Sequence, residues 1–182
     1  MTKYLDINKL EYNSDIVEVD DLIADTILEL NKKGYITHAC CSGHSKVELY
    51  PYELPLGKKE QALKENYVIY EEDDMIHCCM PNITTYTYVM FAKGYNFEKV
   101  PEGFLYETAE EQYNRHLKWK EEDPNYQNDN AIFGDHVGKM IMLMDENGKR
   151  RPTEEVDREI MDANKILLEW SKKLEPVNIK HK

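Results

Sequence analysis

No apolar run in this chain of 182 residues approaches the ~20 residues that a membrane-spanning helix requires, so no membrane partner is expected. Basic residues are in deficit: 23 Lys and Arg stand against 35 Asp and Glu, a net charge of −12 with pI near 5.0. Duplex nucleic acid is therefore not an expected partner, because binding it draws on a basic surface that releases counterions. A local basic patch can still hold a small anion. With 7 prolines and 8 glycines, the chain lacks the composition of a disordered or low-complexity segment, and no internal repeat is visible. Phenylalanine is scarce, at 4 against 13 tyrosines. That ratio suits either buried rings with bonded hydroxyls or exposed flat faces.

What is present is enough for one domain with a real core, since 41% of residues are apolar. Charge appears within the first six residues, so a secretory leader is not expected and the expected location is cytoplasmic. Thiols stay reduced there, and the four cysteines are expected as thiols or ligands rather than disulfides.

Periodicity predicts an α+β fold: a mixed or antiparallel sheet with an N-terminal helix and a helical C-terminal part packed on it. Residues 1–106 are expected to form the α+β core and 107–182 a helical C-terminal part of the same domain. The first helix is expected over 20–33, with an apolar stripe of Val19, Leu22, Ile23, Ile27 and Leu30 and Gly34 closing it. Strands are expected over 35–40, over 47–52 (stopped by Pro51 and Pro55), and over 67–70 and 75–80 as a hairpin. In 84–92, strict alternation puts Thr85, Thr87, Val89 and Phe91 on one face and Thr84, Tyr86, Tyr88 and Met90 on the other. A helix over 108–121 is read with Thr108 as N-cap and Tyr113 and Leu117 on one side. The stretch 131–144 has methionines that suit a helix and glycines that do not, and is left unassigned. The last helix, 153–173, carries Val156, Ile160, Ala163, Leu167, Trp170 and Leu174 at heptad spacing. That seam is expected to pack within the chain, with a homo-oligomer as the alternative.

All four cysteines and half the histidines fall in two patches, His38-Ala-Cys40-Cys41-Ser-Gly-His44 and His77-Cys78-Cys79. Their concentration predicts one site, or two neighbouring strands that build one. The turn Cys41-Ser42-Gly43-His44 can expose successive backbone N–H groups as an anion nest. The competing reading is a tight turn in which Gly43 supplies positive φ and Ser42 bonds its own backbone. A cysteine nucleophile paired with a histidine is a third reading. Strand alternation scatters adjacent thiols and there is no Cys-x-x-Cys pair, so no metal or other cofactor is expected; zinc is the alternative. Lys149-Arg150-Arg151, the one basic triplet, precedes the last helix, where an anion is favoured. Tyr35, Tyr86 and Tyr88 offer faces on which a nucleobase can stack.

The segment from Leu30-Asn-Lys-Lys-Gly-Tyr to Cys41-Ser-Gly-His44 resembles a helix–strand–turn signature of small uncharacterised proteins of Firmicutes and their phages. In those proteins an aromatic strand precedes a Pro-Glu-Gly-Phe turn, as Tyr88-Val-Met-Phe91 and Pro101-Glu-Gly-Phe104 do here. The turn is also similar to the Ser-Cys-Ser-Gly-Arg element of the methyltransferase-like family acting late in tRNA wybutosine synthesis. Here Cys40 stands where that family has its first serine, and His44 replaces its arginine. The resemblance covers about residues 16–106, with an insertion between His44 and Thr84, and an acidic chain without the arginine is not expected to act on tRNA.

Together these features predict a module that binds and sequesters a small phosphorylated, nucleotide-like ligand through Cys41, Ser42, Gly43, His44, His77, Tyr86, Tyr88 and Arg150. The phage resemblance implies a sponge for a host immune signalling molecule. The alternative is an enzyme acting on a nucleotide or nucleoside with His/Cys acid–base or nucleophilic chemistry. No catalytic residue is assigned.

Overall fold

The computed structural model describes residues 2–6, 16–45, 50–55, 60, 68–72, 75–80, 83–92, 94–122 and 132–177. Nine strands and three long helices are defined among them. In chain order they are β1 (Thr2–Asp6), β2 (Ile16–Asp20), α1 (Asp21–Lys32), β3 (Thr37–Cys41), β4 (Tyr50–Pro55), β5 (Val68–Glu72), β6 (Met75–Met80), β7 (Thr84–Phe91), β8 (Leu105–Glu107), α2 (Ala109–Glu122), β9 (His136–Met142) and α3 (Thr153–Lys173). Strands β1 and β2 form an antiparallel pair. A four-stranded antiparallel sheet runs β3-β7-β9-β8, and a three-stranded one runs β4-β6-β5. The α+β class read from periodicity is what the chain adopts. No helix among the described residues is long and apolar enough to cross a membrane.

The chain divides into two units: Met1–Gly43, Tyr86–Ile141 and Arg158–Lys182 make one, His44–Thr85 and Met142–Asp157 the other. In the first, α1 buries Ile23, Ala24, Ile27 and Leu30 and contacts β1 and β3. Val19, expected in the helical stripe, instead lies in β2, a strand too short for its alternation to show in the sequence. Lys33 follows α1 and points its ammonium at the Ser171 and Leu174 carbonyls, 3.0 and 2.8 Å away. These carbonyls lie at the C-terminal end of α3, so a cation there adds a donor for them and opposes the negative end of the helix.

An aromatic cluster closes this unit. Phe97 lies 5.0 Å from Phe91 and 5.1 Å from Trp170, ring centre to ring centre, and Tyr35 stacks on Phe97 at 5.6 Å. Tyr35 is therefore core and not the stacking face the sequence reading offered; its hydroxyl donates to the Glu175 carbonyl at 2.9 Å. Tyr95 accepts from the Ile36 N–H at 2.7 Å. Tyr35 is thus a ring buried with a bonded hydroxyl.

Two other expectations need correction. Strand β4 runs through Pro51 to Pro55 rather than stopping there; among the described strands it pairs with β6 alone, and an edge strand tolerates the missing N–H donors. Residues 136–142, left unassigned because of their glycines, are strand β9, so the C-terminal part is not wholly helical. A Cβ on Gly138 would sit 2.8 Å from the Cβ of Tyr88, so the glycine marks a close approach within the sheet. Helix α2 carries Tyr113 and Leu117 on one side as expected, and that side is the exposed one. It buries Gln112 and His116 and leaves Tyr113 and Leu117 at 48% and 40% exposure. Gln112 can be buried because its amide donates to the Gly134 carbonyl.

The helix seam is covered within the chain: Val156, Ile160, Ala163 and Leu167 are all buried. The reading for residues 58–66 falls almost wholly outside the described residues.

Candidate functional site

The two Cys/His patches are not on neighbouring strands. His38, Cys40 and Cys41 lie on β3 of the four-stranded sheet, while His77, Cys78 and Cys79 lie on β6 of the three-stranded one. The side chains of β6 lie outside the described residues. His38 and Cys40 line a recess of about 400 Å³ with Glu18. Cys40 and Cys41 form no disulfide among the described residues.

The Cys-Ser-Gly-His turn is tightly bound into the protein. Ser42 is buried, and both its N–H and its hydroxyl donate to the Asp20 carboxylate, at 3.3 and 3.0 Å. The Ser42 carbonyl accepts from Thr87 at 2.7 Å and from Asn164 at 2.8 Å. Gly43 adopts φ +91° and points its N–H at the Cys41 sulfur, 3.4 Å away. The His44 N–H donates to the Thr85 hydroxyl at 2.9 Å, and the histidine side chain is exposed. All three amides of the expected nest have acceptors inside the protein. The Asp20 and Cys41 ligand atoms lie within 4.8 Å of each other, which supplies two metal ligands within this unit.

Arg150 sits in the second unit, in a concavity of about 550 Å³ that Lys149, Arg151, Asp145, Glu146 and Glu155 also line. Its Nη2 donates to the Ser45 carbonyl at 2.5 Å, and its buried Nη1 has no partner among the described residues. Arg151 pairs with Glu155 at 2.9 Å. Three acids and three bases line this concavity, so its lining carries no net charge.

The site with the most varied chemistry is a cleft of about 680 Å³ in the first unit, a size suited to a small-molecule ligand. Its construction follows from the sequence. Alternation along β7 buries Thr85, Thr87, Val89 and Phe91 and turns Tyr86 and Tyr88 to the opposite face. The order β7-β9-β8 sets His136 of β9 between those tyrosines and Tyr106 and Glu107 of β8. Helix α2 then brings Glu111, Arg115 and Trp119, spaced by four along one face, to the same space. The capping box at its start fixes the entry angle: Thr108 donates its N–H and hydroxyl to Glu111 Oε2 at 2.8 and 2.9 Å, and the Glu111 N–H donates back to the hydroxyl at 3.2 Å.

Within the cleft the Tyr88 and His136 rings lie 5.2 Å apart. Tyr86 rests its hydroxyl on the Met140 sulfur at 3.2 Å. The Arg115 guanidinium lies 5.2 Å over the Trp119 ring and forms an ion pair with Glu107. Behind the wall, buried Asp135 accepts from the Tyr106 hydroxyl at 2.6 Å, from the Tyr95 N–H at 3.0 Å and from the Ala109 N–H at 3.3 Å. One carboxylate thus ties β8, the 94–97 loop and the start of α2 together.

Burial sets the protonation states. It pushes the Tyr106 phenol up to about 12, helped by the hydrogen bond to Asp135 and that group's charge. Burial also raises Tyr88, as do Cys41 and Cys40 beside it. His136 is held below its ordinary value chiefly by burial and further by Arg115, with Glu107 opposing. The imidazole is therefore neutral near pH 7. Glu111 is held low by its bonds from Thr108 and stays ionised.

Of the sequence-predicted residues, the structure brings Tyr86 and Tyr88 into this cleft. Among the described residues, Cys41, Ser42, Gly43, His44 and Arg150 do not line it; the His77 side chain lies outside the described residues. Sequence reasoning missed Tyr106, Glu107, Glu111, Arg115, Trp119 and His136. The spacing of Glu111, Arg115 and Trp119 by four was visible, but nothing in it names the strand they face. No family model, curated protein or solved structure matches the chain.

Proposed function

We propose that the first unit binds a small nucleotide-like ligand in the Tyr86–Tyr88–Trp119 cleft, its ring held on the aromatic faces and an anionic group held by Arg115. The carrying observation is three tyrosines, a tryptophan and a guanidinium on the walls of one cleft. Stacking on such faces contributes ~1–3 kcal/mol per base and tolerates different rings. Arg115 engages Glu107 through one nitrogen only, and its fork keeps further donors for a phosphate. With two carboxylates and a neutral imidazole around a single arginine, the cleft favours a ligand of low negative charge over a polyphosphate. Sequestration of an immune signalling nucleotide is the biological form that the phage resemblance suggests.

Calorimetric titration with nucleoside monophosphates tests this proposal. Tyr88→Ala and Trp119→Ala should each weaken binding about tenfold, corresponding to ~1.4 kcal/mol. Unchanged affinity in both variants would reject the cleft. A second reading, an enzyme acting on the same ligand, is favoured by one observation: a neutral histidine lies beside the ring-binding wall, as a general base would. Ligand released intact by heating supports sequestration; altered ligand that returns unaltered from His136→Ala supports the enzyme.

A further inference from the structure

We infer that the cleft reads a ring edge carrying two adjacent N–H donors, so that its ligand class is guanine-type rather than adenine- or cytosine-type. The inference rests on the ring-stacking reading above and adds the identity of the ring. Two carboxylates, Glu107 and Glu111, line the same cleft as Tyr86, Tyr88 and Trp119. Each has one oxygen committed. Glu107 Oε1 holds Arg115, and Glu111 Oε2 accepts both bonds from Thr108. The second oxygen of each has no partner among the described residues.

An ionised carboxylate accepts hydrogen bonds and donates none. A ring clamped by its faces must present its edge to the walls, and there it meets acceptors carrying negative charge. The guanine edge offers an imino N–H next to an amino group, two donors side by side. One carboxylate oxygen can take each, and such charge-assisted bonds are the strong ones. Adenine and cytosine set a ring-nitrogen lone pair beside their amino group. Against a carboxylate that lone pair is repelled and loses its water without replacement. The single arginine does not reverse this preference, because it already lies against Glu107 and over Trp119.

The test is calorimetric titration of the full chain with guanosine, inosine, adenosine and cytidine monophosphates. Guanosine monophosphate should bind at least about tenfold tighter than the adenosine and cytidine forms, the discrimination expected of a good two-bond contact to a base edge. Inosine monophosphate, lacking the amino group, should fall between. Glu107→Gln and Glu111→Gln should each shrink the preference, and each keeps the side-chain length, with a thermal melt to verify folding. Equal binding of the adenosine and guanosine forms, with Tyr88→Ala still weakening both, overturns this inference and leaves the cleft reading standing. No binding of any of the four overturns both.

Discussion

Gly43 and Tyr106 show at single-residue scale how the sheet is held. Gly43 sits at φ +91°, and an added Cβ would meet the Thr87 hydroxyl at 3.0 Å and Ile160 at 3.3 Å. Gly43→Val is therefore expected to cost about 2 kcal/mol or more, from backbone strain plus overpacking, and to lower the melting temperature. Tyr106→Phe removes the 2.6 Å bond to Asp135 and leaves a buried carboxylate short of one donor. A loss of about 1–3 kcal/mol is expected in urea denaturation. A midpoint unchanged from wild type would show that water replaces the phenol. For His136 the pH dependence has a definite sign. Its folded value lies below the ordinary 6.5, so the unfolded chain binds the extra proton in between. The stability is fully present above about 6.5 and is lost as pH falls through the lowered native value. His136→Gln should flatten the acid side of the melting-temperature profile, and an unaltered profile would assign the acid limb to other groups.

At the scale of elements, α3 and α2 differ in how their faces were chosen. The α3 heptads put Ile160, Ala163 and Leu167 on one side, and these are the residues the chain buries. Leu167→Asp places a charge at a fully buried position and is expected to destabilise the fold by about 3 kcal/mol or more. Circular dichroism melts check it, and light scattering separates this from a dimer seam, where a stable monomer of half the mass would appear. In α2 the apolar Tyr113 and Leu117 are exposed while Gln112 and His116 turn inward. A bonded amide outcompetes two larger side chains there because the Gly134 carbonyl needs a donor.

The molecule as a whole carries −12 charges. That predicts negligible affinity for duplex DNA at physiological salt, checked by fluorescence anisotropy with a labelled duplex. Salt-sensitive binding there would reveal a basic surface that the net charge conceals. The same acidity sharpens the choice of small ligand, since the cleft offers one arginine against two glutamates.

The sequence by itself determined the fold class, the two-faced alternation of β7 and the seam of α3, because each is set by local periodicity within a few residues, and it offered positive φ at Gly43 as one of two readings of the turn. It also placed Tyr86 and Tyr88 on one face of a strand. Only the tertiary structure decided that Tyr106, Glu107, Glu111, Arg115, Trp119 and His136 join them. Tyr106 to Trp119 form one stretch, with β8 running almost directly into α2, and His136 lies on β9; their meeting with Tyr86 and Tyr88 depends on the strand order β7-β9-β8, which no local pattern encodes. It likewise decided that the turn rich in cysteine and histidine spends its amides on Asp20, Cys41 and Thr85. Residue type announces where chemistry is possible, but the partners that satisfy or free each group are fixed by packing.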